Sequence, residues 1–160
     1  MVLHESAYEP LEDLLDRASF SGLISRTITT RLAEARSGSL VVNRYHNGYP
    51  DLIPHGRYPN DTVQRGVGLE VKASRSDGSW QSHGPRPGWF IVVQFQIDET
   101  ESVARLQHEP TRVVAAMLAN LGEEDWSWQP ARAGRIRSGT ASVKASGRLK
   151  LRDGAVWIDP

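Results

Sequence analysis

Apolar and polar positions change period several times along this chain, and each change marks a predicted element. Leu11, Leu14, Leu15 and Ala18 recur at helical spacing behind Pro10, which suits a first helical position. Leu23, Ile24, Ile28, Leu32 and Ala35 resume the stripe, so helix is expected from Pro10 to Arg36, with a break at Ser21-Gly22 and a stop at Gly38. These apolar positions read as core. Leu40 to Tyr45 then reads as a strand and His46-Asn47-Gly48 as turn chemistry. Two short apolar runs interrupted by charge follow: Tyr49-Pro50-Asp51-Leu52-Ile53, and Gly68-Leu69-Glu70-Val71-Lys72-Ala73-Ser74. The connection between them holds Pro54, Gly56, Pro59 and Asn60-Asp61, which predicts a hairpin or meander.

Residues Ser74 to Gly88 are too polar and too broken to read as core. Trp89 to Ile97 is the clearest strand, and its continuous apolar first half predicts burial on both faces. Gln94 and Gln96 share one face there, either turned toward a cleft or marking a half-exposed end. Thr111 to Leu121 carries Val113, Val114, Met117, Leu118 and Leu121 at helical spacing and reads as helix, with a further strand as the alternative. Trp126-Ser127-Trp128 reads as an aromatic anchor capping the core. Thr140 to Val143 and Leu149-Lys150-Leu151 alternate, and Arg152-Asp153-Gly154 is a turn before Ala155-Val156-Trp157-Ile158, which predicts a C-terminal β-hairpin.

With 160 residues the chain is long enough for one domain with a substantial core, and no internal repeat or second domain is read in it. The formal net charge is zero, so any attraction for nucleic acid must come from how charge is distributed. Acids lead before Arg17. From Arg132 to Arg152 there are only bases: Arg132, Arg135, Arg137, Lys144, Arg148, Lys150 and Arg152. The absence of cysteine removes disulfides, thiolate catalysis and cysteine-zinc sites. His46, His55 and His83 do not recur at metal-ligand spacing. No apolar run approaches a membrane span and the N-terminus lacks a signal-peptide layout, so a soluble cytoplasmic protein with no membrane association is expected.

The charges inside the apolar runs carry the chemistry. Alternation puts Glu70 and Lys72 on one face of a strand, and Asp51 heads the neighbouring one. Two carboxylates close together repel unless a cation lies between them, and a hard divalent ion prefers carboxylate oxygen and water. Such an ion polarises a phosphoryl oxygen and acidifies water, while a lysine beside it offsets developing charge. The alternative is an edge strand carrying solvated charges, with Asp51 starting a turn.

Pro50-Asp51, followed after eighteen intervening residues by Glu70-Val71-Lys72, resembles the signature of the PD-(D/E)XK nuclease superfamily, over roughly Gly22 to Ile97. The resemblance implies an α+β or α/β fold, a restriction-endonuclease-like mixed sheet flanked by helices, to which the C-terminal hairpin would be an addition. It implies that Asp51 and Glu70 bind Mg2+ (or Mn2+), that the carbonyl of Val71 adds a ligand, and that Lys72 serves the attacking water. Some members use an acid from the preceding helix, where Glu34 stands here; the alternative is a solvated surface Glu.

The function expected from this is a Mg2+-dependent DNA endonuclease, in its narrower form a compact type II restriction enzyme. Double-stranded DNA is the expected partner. Arg75, Trp80, Gln81, His83 and Arg86 in the polar loop supply donors and an aromatic suited to DNA, although a simple surface loop has the same composition. Arg135, Arg137 and Lys144 could follow a phosphate backbone, or form a charged edge that resists aggregation. Cutting both strands with one site per chain implies a homodimer. The competing expectation is a non-catalytic nucleic-acid or protein binding module of the same fold.

Overall fold

The computed structural model describes residues 11–75, 80–82, 84–100, 109–130 and 139–159. In chain order the elements are α1 (Leu11–Leu14), α2 (Arg17–Ala35), β1 (Leu40–Val42), β2 (Leu52–Pro54), β3 (Leu69–Ser74), β4 (Gln81–Ser82), β5 (Gly88–Gln96), β6 (Arg112–Leu121), β7 (Trp126–Gln129), β8 (Thr140–Val143), α3 (Ala145–Asp153) and β9 (Ala155–Ile158). They make an α+β structure with a six-stranded mixed sheet, ordered β1-β2-β3-β5-β6-β9, and a small antiparallel sheet ordered β4-β8-β7. Only β3 and β5 run parallel in the large sheet; its other pairs are antiparallel.

The expected helix breaks elsewhere than at Ser21-Gly22. Asp16 starts α2 by accepting the N–H groups of Ala18 and Ser19 on Oδ1, at 2.9 and 3.0 Å, so the interruption falls before Arg17. Gly22 stays helical because α2 is held by tertiary packing: Phe20 meets Phe95 edge-on at 5.7 Å. That contact outweighs the cost of about 1 kcal/mol for a helical glycine. Gly38, at φ +90°, lies in the turn that leads into β1.

The helix expected over Thr111 to Leu121 is instead strand β6. Ala115, Met117, Ala119 and Leu121 are buried at period two, and β6 is paired by β5 on one side and β9 on the other. Val114 and Leu118, at half-buried positions alternating with these, are apolar as well, so the run contains helical spacings by coincidence. The expected C-terminal hairpin is also corrected, since Leu149 to Leu151 lies in α3. Gly147 and Leu151 face inward one helical turn apart while Leu149 is 59% exposed, and Gly154 caps the helix rather than turning a hairpin. A Cβ on Gly154 would stand 1.9 Å from the carbonyl oxygen of Leu118, so only glycine permits this approach. β9 then pairs with β6.

Two cores follow from the alternation. On the face opposite α2, Phe90 and Val92 of β5 and Met117, Ala119 and Leu121 of β6 join Trp80, Trp126, Ala141, Val143 and Leu151. The small sheet and α3 therefore cover one face of the large sheet, and α2 covers β3 and Phe95 on the other. The aromatic anchor is half as expected, with Trp126 buried and Trp128 45% exposed. β5 is central, with Phe90, Val92, Val93 and Phe95 buried; Gln96 is exposed and Gln94 half-buried.

Candidate active site

The candidate site lies where β2 and β3 part. Their ladder contains the pair Leu52 and Leu69, and one further step of that register sets Asp51 opposite Glu70. Beyond Asp51 the chain turns away, because Tyr49 is bonded to a different segment: its N–H donates to Gln64 O at 3.0 Å and its carbonyl accepts from Gly66 at 2.9 Å. Asn43 holds this divergence open. Its Nδ2 donates to Pro50 O and Val63 O at 2.9 and 2.8 Å, and its Oδ1 accepts from Tyr45 and Val63, each at 3.1 Å. Gly68 allows the two strands to meet just before they split, since a Cβ there would lie 2.0 Å from Leu52 O.

Parting leaves the edge of β3 without a strand partner, and side chains take its donors. The N–H of Val71 donates to Asp51 Oδ2 at 2.9 Å, and the N–H of Ala73 to Ser25 Oγ of α2 at 2.9 Å. Asp51 is thereby pinned to β3, with Oδ1 making no hydrogen bond among the described residues. A residue's N–H and C=O project to the same edge of a strand, so the carbonyl of Val71 shares this open edge.

Glu70 is 2% exposed, which is unusual for a carboxylate. Its Oε1 meets Lys72 Nζ at 2.5 Å and Arg86 Nη1 at 3.5 Å, whereas its Oε2 is buried without a hydrogen-bond partner among the described residues. Burial raises the Glu70 pKa above the ordinary carboxylate value; Lys72 opposes the shift, Asp51 adds to it, and Arg86 opposes it. Tyr49 forms the adjoining wall. Its hydroxyl donates to Pro87 O at 3.0 Å, the Arg86 guanidinium lies 5.0 Å from its ring centre, and burial pushes its phenol pKa upward.

Lys72 lines two clefts. One, of about 200 Å³, also involves Gln81, Ser82, Arg86 and Thr140. The other, of about 740 Å³, runs between α2 and the loop after β1 and reaches Asp51. Asp51, Glu70, Val71 and Lys72 are thus together, and Arg86 and Gln81 stand beside them. The role of Arg86 as the second cation on Glu70 was not legible in the sequence. Its Gly-Pro-Arg-Pro setting in a polar loop gives no periodicity that would aim it at a strand.

The other expected DNA contacts fall elsewhere. Trp80 is corrected: it is 5% exposed in the core, its strand neighbour Gln81 pairs with β8, and a buried indole cannot stack on a base. Arg75 is taken up by Glu99 through Nη2. Lys144 precedes α3 and donates through Nζ to Glu124 O at 3.1 Å, away from both clefts. His83, Arg135 and Arg137 lie outside the described residues. Glu34 pairs with Arg31 at 2.8 Å on an exposed helix surface and lines neither cleft.

The donor set suits a lightly coordinated cation. Among the described residues no group of three or more His, Asp or Glu side chains gathers around one point. Two carboxylates and one carbonyl match Mg2+, which keeps several of its waters, and the orphaned Oε2 of Glu70 is the polar atom such an ion would satisfy. Among the described residues no helix is long and apolar enough to cross a membrane. Compared with known proteins, the chain matches no family model, no curated protein and no solved structure.

Proposed function

We propose that the protein is a Mg2+-dependent endonuclease of the restriction-endonuclease-like type, hydrolysing phosphodiester bonds in double-stranded DNA at the opening between β2 and β3. The observation that carries this reading is a buried carboxylate with one oxygen unpaired, set opposite Asp51 and beside Lys72. A carboxylate in that state is costly, and burying it is explained if a further cation completes it.

Asp51, Glu70 and the Val71 carbonyl would hold Mg2+ or Mn2+, which when bound supplies charge neutralisation at phosphate and acidification of water. The chain supplies the rest. Lys72, about one third exposed, can leave Glu70 to orient the attacking water and hydrogen-bond the oxygen on which charge develops. Arg86 then remains as the cation on Glu70 Oε1, and the Tyr49 ring and Pro87 carbonyl keep Arg86 in place. Asp51 keeps its orientation through the Val71 N–H. A symmetric pair of chains would address the two strands.

The test is cleavage of supercoiled plasmid with and without Mg2+, comparing wild type with Glu70→Ala and Lys72→Ala. Discrete metal-dependent fragments that both variants lose are expected, with a fall of 100-fold or more in rate on the order typical for transition-state electrostatics. Smearing or nicking lost in both would keep the nuclease and remove the restriction-type reading.

One observation favours a second reading, a non-catalytic binding module. Lys72 and Arg86 already balance the charges of Asp51 and Glu70 without an added ion. Thermal denaturation separates the two readings, because an ion that binds only the native state raises its stability. Stabilisation by Mg2+ or Mn2+ that Glu70→Ala abolishes supports the metal site, and no shift together with no cleavage supports the binding module.

A further inference from the structure

The two arginines expected to grip DNA from the polar loop are already engaged, Arg75 by Glu99 and Arg86 by Glu70 and the Tyr49 ring. The larger cleft at Lys72 has a different set of cations. Arg26 on α2 and Arg44 after β1 both line it and are exposed, and neither has an ion-pair partner among the described residues. Tyr45 and His46 continue the same wall, and the Tyr45 side chain is 44% exposed. Hydrogen bonds tie down the backbone of this wall: Asn43 Oδ1 accepts the Tyr45 N–H, and the Arg44 N–H donates to Asp61 O at 2.9 Å. Asp51 and Lys72 line the same cleft.

Resting on the nuclease reading above, we propose that this wall binds the DNA strand leading to the scissile bond, with flanking phosphates on Arg26 and Arg44 and an unstacked base on Tyr45. Phosphate contacts from two unpaired guanidinium groups position a strand without reading its sequence. An exposed phenol beside them offers a stacking surface that accepts any base. A base inside an intact duplex has no free face, so the ligand is a nucleotide already out of the stack. It can come from a single-stranded stretch or be flipped from a duplex.

The test is fluorescence anisotropy with labelled DNA of three kinds: a single strand, a perfect duplex, and a duplex with an unpaired stretch. Binding is followed in EDTA and in Ca2+ over a range of salt concentrations, for wild type, Arg26→Ala/Arg44→Ala, Tyr45→Ala and Tyr45→Phe. The double variant is expected to weaken binding at least tenfold and to lower the log–log salt slope by about 1.5. Tyr45→Ala is expected to weaken binding about tenfold, and Tyr45→Phe to retain it, since a phenyl ring stacks equally well. A Tyr45 effect confined to DNA with unpaired bases identifies a single-stranded source, and an equal effect on the perfect duplex identifies a flipped base. Wild-type affinity and slope in the double variant, wild-type binding by Tyr45→Ala, or no binding by wild type overturns the proposal. The first two leave the nuclease reading standing, since that reading falls only if metal-dependent cleavage is absent or survives Glu70→Ala and Lys72→Ala. Unchanged circular dichroism and melting temperature keep misfolding out of the comparison.

Discussion

Glu70 is a buried carboxylate with one oxygen unpaired among the described residues, which a stable fold does not need. Burial raises its pKa, so folding favours the protonated form relative to the unfolded chain. The stabilising contribution is full below the pKa of an unfolded Glu and is lost as pH rises through the raised native value. The melting temperature of wild type relative to Glu70→Gln should therefore fall as pH rises across that window, and it should level off above it. If Glu70 holds Mg2+ as proposed, added Mg2+ should stabilise wild type more at the upper end of the window than at the lower end, because the ion favours the ionised carboxylate. Thermal denaturation across pH, with and without Mg2+, checks both; parallel curves for wild type and Glu70→Gln would show an unshifted Glu70. At this scale the placement of Asp51, Glu70 and Lys72 together was legible because strand alternation alone sets two of them on one face. Arg86 was not, because its contact joins residues 16 apart through a loop whose path depends on the core. Trp80 misled for the opposite reason: its polar neighbours suggested solvent, while β4 pairs with β8 and carries the indole inward.

Among the elements, the strand expected over Trp89 to Ile97 is found as β5, the helix break expected at Ser21-Gly22 falls before Arg17, and two further errors came from runs compatible with both periods. Thr111 to Leu121 carries apolar residues at both its buried and its half-buried positions, and its pairing with β5 and β9 is not something a local pattern reveals. Leu149-Lys150-Leu151 has strand alternation, yet α3 buries only Leu151 and leaves Leu149 outside. These alternatives predict different mutational patterns. On a half-buried strand Leu149 and Leu151 would share a face, so truncating either would cost about as much. In α3, Leu151→Ala removes a fully buried side chain and should destabilise by about 2–5 kcal/mol. Leu149→Ala should stay within about 0.5 kcal/mol, as exposed substitutions do. Urea denaturation of the two variants measures the contrast, and similar losses for both would contradict the helix. α3 is further tied to the core by Lys150, whose Nζ meets the buried Asp125 Oδ2 at 2.6 Å. Burial opposes ionisation of Asp125, and the hydrogen bond from Lys150 with that from the Gly122 N–H overcomes it, leaving its pKa lowered.

For the whole molecule, a net charge of zero means that the proposed affinity for DNA would have to come from local cations not spent on internal acids. On the proposed nuclease reading, one site per chain also sets a limit on the product. A monomeric nuclease would cut one strand at a time, and linear plasmid would form only when two independent nicks fell close together. A homodimer with two-fold symmetry presents a site to each strand and can cut both in one encounter. Subunit mixing separates these cases. If wild type is equilibrated with excess Glu70→Ala, most wild-type chains enter mixed dimers with one working site. Nicked circles should then accumulate while linear product falls more steeply than the fraction of wild-type chains. For independent monomers the inactive variant acts only as a competitor, and nicked and linear products should decline with an unchanged ratio at equal extents of cleavage. Sedimentation equilibrium supplies the companion measurement, with twice the 17.8 kDa chain mass expected at the concentrations used for cleavage. A monomeric mass together with an unchanged product ratio would leave the β2–β3 site a nickase and remove the paired-site reading.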